Sequence, residues 1–154
     1  MAYADFNFYK YGFGGDKLST ETAPGWLEAA SDMLDSMTFS RLTFAFPTLE
    51  VHAKKVKKAV CAIADALYLV DVQRSAASAQ KGEDGKIHGA VASISSGKES
   101  ISYSNNNSGS VYSIAAANQF ELRKLLYQIV LTYLAGVPDA NGINLLYGGL
   151  GDVR

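Results

Sequence analysis

Cysteine is nearly missing from this chain: Cys61 stands alone among 154 residues. A single thiol excludes an intrachain disulfide framework and suits a reducing compartment. Histidine is almost as scarce, with His52 and His88 only. Metal sites draw on His, Cys and carboxylates at ligand spacing, and this supply gives none of the usual patterns, so neither a metal nor a cofactor is expected. Three prolines form no linker and no repeat recurs, so one domain over residues 1–154 is expected. Long apolar runs are absent too. The most apolar stretch, Leu125–Val137, is broken by Tyr127, Gln128, Thr132 and Tyr133 and falls short of the ~20 residues of a membrane span. The first residues show no basic segment followed by an apolar one, as a secretion signal would. A soluble protein made in the cytoplasm is therefore expected, with no membrane partner. Neither sign of charge dominates, with 14 Lys and Arg against 15 Asp and Glu. Any attraction to nucleic acid has to be local.

What the chain has is apolar residues, 48% of the total, which is enough for a buried core. Residues 1–20 hold Tyr3, Phe6, Phe8, Tyr9, Tyr11 and Phe13 and then Gly12, Gly14 and Gly15 without a period, which reads as an ordered arm laid over the core or a neighbour. A first helix follows in "TAPGWLEAASDMLDSMTF", with Thr22 as cap, Pro24 in the first turn, and Trp26, Ala30, Met33 (with Leu34) and Met37 recurring on one face. After Leu42–Phe46 and Pro47, Thr48 opens the longest helix. Val56, Val60, Ile63, Leu67 and Val70 form its stripe out to about Ala79. "KGEDG" ends that helix. Ala90–Ile94 and Glu99–Ser104 then alternate like the two strands of a hairpin around Ser96 and Gly97. "NNNSGS" (105–110) reads as a loop. A last helix, about Ser113–Ala135, carries Leu122, Leu126, Ile129 and Tyr133 and ends at Gly136 ahead of Pro138. The expected fold is mainly α: a compact bundle of three main helices, a β-hairpin insertion at 90–104, and extended N- and C-terminal segments at 1–20 and 137–154.

Catalytic constellations are hard to assemble from these residues. His52 lies nine positions before Cys61 on the same helix, about 2.5 turns away, too far to act as its base. Cys61 borders the apolar stripe and reads as a small packed hydrophobe. His88 reads as a solvated loop residue. "GFGGD" (12–16) has neither the spacing nor the preceding strand of a phosphate cradle. Asp32 and Asp35 stand three apart on the first helix but read as a solvated face. No enzyme is expected. The densest charge is "HAKKVKKA", where Lys54 and Lys58 share a face with Lys55 and Lys57 flanking it; this row could meet DNA or an acidic surface. One functional reading is therefore a small cytoplasmic helical regulator that binds DNA through Lys54, Lys55, Lys57 and Lys58.

A different reading comes from the order of four signatures. "LDSMTFSRL" (Leu34–Leu42) closes the first helix, and "VKKAVCAIADALY" (Val56–Tyr68) lies in the second. "SISSGKESISYS" (Ser93–Ser104) follows, and "LLYGGL" (Leu145–Leu150) comes after the last helix. Together they resemble the head-to-tail connector, or adaptor, proteins of long-tailed bacteriophages over about residues 18–150. That family commonly has arginine in an "LLYRG" position, where this chain has Gly148 and so lacks the charge.

The resemblance implies a structural virion protein at the head–tail interface. It implies a homo-oligomeric ring of about twelve copies on the portal protein, with the packaged double-stranded DNA passing through it and a neck, stopper or tail protein docking below. It also implies portal docking by the C-terminal segment, hence by Ile143, Leu145, Leu146, Tyr147 and Leu150. The β-insertion would then meet the next subunit through Ile94, Ile101 and Tyr103. The physics of the tail agrees, because five apolar residues among glycines gain little as a free end in water. Its alternative home is the chain's own core.

Overall fold

The computed structural model describes residues 1–79 and 110–148. Among these residues the chain is helical apart from turns and one isolated antiparallel bridge, Pro138 to Asn144. The helices are a π-helical turn at Phe8–Phe13, α1 (Ala23–Met37), α2 (Arg41–Phe44), α3 (Glu50–Ala79), α4 (Val111–Ala117) and α5 (Gln119–Leu134). The expected hairpin, with Ile94, Ile101 and Tyr103, lies outside the described residues, as do His88 and Leu150. The described residues fall into two compact units, one built from Met1–Tyr68 with the segment from Leu126 onward, the other from Leu69–Leu125.

In the first unit the N-terminal arm belongs to the core. Tyr9 is fully buried, together with Ala4 and Leu18. The turn that carries it is started by Asp5, whose carboxylate accepts from Phe8 N at 2.7 Å, and is closed by Gly15 N donating to Tyr9 O at 2.8 Å. Gly15 lies against the Tyr9 ring: a Cβ there would stand 2.1 Å from Cζ. The expectation of an arm laid over the core thus becomes a tighter arrangement, with one aromatic inserted.

α1 begins after Thr22 with Pro24 in its first turn, as expected, although the Thr22 hydroxyl is engaged with Ser19 and does not cap the helix. Its buried face is Leu27, Ala30, Leu34 and Met37, so Leu34 is the buried member of the Met33–Leu34 pair and Leu27 takes the place expected of Trp26. Trp26 instead meets Tyr68 edge-on, with centroids 6.0 Å apart. The helix stops at two consecutive left-handed residues, Phe39 (φ 55°) and Ser40 (φ 57°). This conformation costs an L-residue about 1–2 kcal/mol and is normally left to glycine.

α3 buries Val56, Val60, Ile63 and Val70 as the period requires, with Leu67 half-buried. It starts at Glu50, two residues after the expected Thr48. The last expected helix is two. Asn118 takes an extended conformation between α4 and α5, and its side chain accepts from Phe120 N at 2.9 Å, restarting the helix. In α5 the core positions are Leu122, Leu126, Val130 and Leu134, where the sequence pattern expected Ile129 and Tyr133 for the last two. Gly136, at φ 75°, ends this part of the chain as expected.

Candidate functional site

The C-terminal segment after α5 folds back and closes on itself. Leu145 N donates to Val137 O at 2.9 Å and Asp139 N to Ile143 O at 2.7 Å, with Gly142 at φ 83° making the turn. The Asp139 carboxylate accepts from Asn141 N at 2.8 Å and from Ile143 N at 2.9 Å, which holds the turn from inside. Val137 and Leu145 are fully buried.

Of the residues expected to dock outward, Leu145 therefore serves the chain's own core. Leu146 is half-buried, while Ile143 and Tyr147 are 41% and 59% exposed. The reason is the backbone: Leu145 N donates to the carbonyl of the buried Val137, and the turn that follows, closed by Tyr147 N on Asn144 O at 3.0 Å, carries Tyr147 away from the core.

α2 and its flanks clasp this segment. Ala140 N donates to Ala45 O at 3.0 Å, and the Arg41 guanidinium donates to Tyr147 O at 3.2 Å. The other Arg41 terminal nitrogen stands 3.7 Å from Asp139, whose carboxyl is almost completely buried, so the charge of Arg41 is matched. Gly148 is needed at its place, because a Cβ there would lie 2.4 Å from Cζ of Phe39. The Phe39 ring thus occupies the space in which a longer side chain at 148 would begin.

The outcome is an aromatic corner. Phe39 is 61% exposed beside Gly148, and Phe44 is 86% exposed one helical turn on from Arg41. Tyr147 is tied in through its carbonyl. Sequence reasoning missed Phe39, Phe44 and Arg41. Nothing in the pattern marks them, since the Arg41–Asp139 pair spans most of the chain and the left-handed turn has no glycine.

The lysine row is on α3, with Lys54 and Lys55 exposed and Lys57 and Lys58 half-buried. Lys57 Nζ sits 5.5 Å from the centroid of the Phe8 ring, a cation–π contact between helix and arm.

The other chemical candidates resolve into structure. Cys61 is fully buried and its thiol is pushed up to about 12, first by burial and then by the charges of Asp65 and Asp5. It stays protonated at neutral pH and is not a nucleophile. Asp35 accepts the Tyr3 hydroxyl on both oxygens, at 2.7 and 2.9 Å, so it locks the arm to α1 and does not pair with Asp32. In "GFGGD", Gly12 and Gly15 make room for the rings of Phe8 and Tyr9. Among the described residues no cluster of three or more His, Cys, Asp and Glu could hold a metal ion, and no helix is long and apolar enough to cross a membrane.

Comparisons of the chain with protein-family models, curated proteins and solved structures gave no match.

Proposed function

We propose that this chain is a structural virion protein, a head-to-tail connector of a long-tailed bacteriophage. In this reading it forms a homomeric ring on the portal, continues the channel for the packaged DNA, and offers a surface to the next neck or tail protein. The order of the four sequence signatures supports the reading. The observation that carries it is the aromatic corner, where a clasped C-terminal segment leaves Phe39, Phe44, Ile143 and Tyr147 uncovered.

The Phe39 ring lies against Gly148, next to Tyr147, so these two exposed aromatics are neighbours, and Phe44 adds a third on α2; an exposed apolar surface of this kind marks a partner site. Aromatic knobs on a rigid support are also what binding hot spots are made of. In the connector reading this corner meets the portal, with Leu145 holding the segment from beneath. The missing arginine at 148 is replaced by an aromatic contact from Phe39. The segment 90–104 then brings Ile94, Ile101 and Tyr103 to the neighbouring subunit.

Deleting the gene in the phage or prophage that encodes the chain tests this. DNA-filled heads and separate tails should accumulate, and normal virions from the deletion would refute the reading.

A further inference from the structure

The left-handed turn after α1 and the clasped C-terminal segment belong to the same compact unit and lean on each other. Phe39 (φ 55°) and Ser40 (φ 57°) are consecutive and neither is glycine, so the turn carries the cost of that conformation twice. Strain of this kind persists where surrounding contacts over-determine it. Some of those contacts come from α1, where Ser40 N donates to Asp35 O at 2.8 Å. The others come from the C-terminal segment: Gly148 lies against the Phe39 ring, and Tyr147 O holds the Arg41 guanidinium at 3.2 Å.

Arg41 is an incomplete anchor. Its other terminal nitrogen stands 3.7 Å from Asp139, longer than a hydrogen bond, and among the described residues its buried Nε has no hydrogen-bond partner. A buried donor left bare disfavours the closed arrangement, because water satisfies it on opening. Asp139, by contrast, is served inside its own turn by Asn141 N and Ile143 N, so that turn can move as a piece. Besides the two Arg41 contacts, the polar link across the boundary among the described residues is Ala140 N on Ala45 O at 3.0 Å.

We infer that segment 137–148 is a strap that releases from the α1–α2 turn as one unit, and that the turn leaves its left-handed conformation in the same event. Closed, the strap withdraws Val137 and Leu145 into the core and leaves Ile143 and Tyr147 outside; released, it presents all four. The strap thereby sets how much apolar surface this corner offers. The inference concerns the chain by itself, goes beyond the connector reading and does not depend on it.

Native-state hydrogen exchange of the purified full chain, followed residue by residue by NMR, tests it. The amides of Ser40, Ala140 and Leu145 donate to Asp35 O, Ala45 O and Val137 O, and so report on the turn, the boundary and the strap. All three should exchange through one opening, with protection at least roughly tenfold below that of the buried Val60 and Ile63 of α3, because a sub-global opening needs less free energy than global unfolding. Ser40→Gly accepts the left-handed conformation and leaves Phe39, Phe44 and Tyr147 in place. It should raise the protection of Ala140 and Leu145 about fivefold. Equal protection of the strap and α3 overturns the inference, because the strap then opens only when the whole unit unfolds. Strap protection that Ser40→Gly leaves unchanged also overturns it, because the strap then lifts without the turn. The assay needs neither ring nor portal, so either reading can fail without the other.

Discussion

The Tyr9 hydroxyl donates to Asp65 Oδ1 at 2.6 Å, joining the N-terminal arm to the middle of α3 across 56 positions of sequence. The same oxygen accepts from Lys17 N at 3.0 Å and Leu18 N at 3.2 Å, so one buried phenol satisfies three partners. Tyr9→Phe keeps the ring and removes all three bonds. The expected loss is about 1–3 kcal/mol of unfolding free energy, the usual cost of unpartnered buried polar groups, measured by urea denaturation. An unchanged midpoint would show that these three hydrogen bonds add no net stability to the arm's packing.

Burial raises the carboxyl of Asp65 above its ordinary value, against the lowering effects of Tyr9 and Lys17, which stay smaller. The folded state then holds its proton to higher pH than the unfolded state does. Stability from this group is present at low pH and falls as pH rises from just above the ordinary carboxylate value through the folded value. Asp65→Asn keeps an acceptor for Tyr9 and removes the charge. Urea melts between pH 4 and 7 should show the native chain losing stability relative to Asp65→Asn as pH rises; a relative gain would reverse the assignment.

The thiol of Cys61, pushed up to about 12 and fully buried, should not react with Ellman's reagent in the folded protein and should react promptly in urea. Fast labelling of the native chain would mean that the fold around Cys61 opens on the time scale of the reaction.

The helices that the apolar period marks are there, and α5 stops two residues short of Gly136. What the period could not fix is phase. In α1 the expected stripe held Met33 with Leu34 beside it, and Leu34 is the buried one of the two; in α5 Val130 and Leu134 replace Ile129 and Tyr133. Adjacent apolar residues fit the same stripe nearly equally well, and only the packing partner chooses between them. The break at Asn118 did carry a local signal, since asparagine is a strong cap, but continuous hydrophobicity on both sides concealed it. Tyr9 was legible as part of an arm and not as a core residue, because a buried phenol depends on partners at Lys17, Leu18 and Asp65 that no local pattern links. For the same reason the candidate site was half legible. Tyr147 and Ile143 were found in an apolar tail, whereas Phe39 sits in, and Phe44 follows, a left-handed turn that the sequence does not announce.

That turn gives a separation of stability from docking. Phe39→Asn places a residue that tolerates the left-handed region where an aromatic now sits at φ 55°. The variant should be at least as stable as the native chain, with a gain of up to about 1 kcal/mol in denaturant melts. It should nevertheless complement the gene deletion poorly, because the corner loses an aromatic knob. Full complementation would take Phe39 out of the docking surface.

The central claim is a place in the particle, and gold labelling locates it most directly. Virions grown with an epitope-tagged copy of the chain are purified and imaged by electron microscopy after decoration with antibody-bound gold. The expected result is gold at the head–tail junction. Purified, infectious virions that contain none of the chain would contradict the claim.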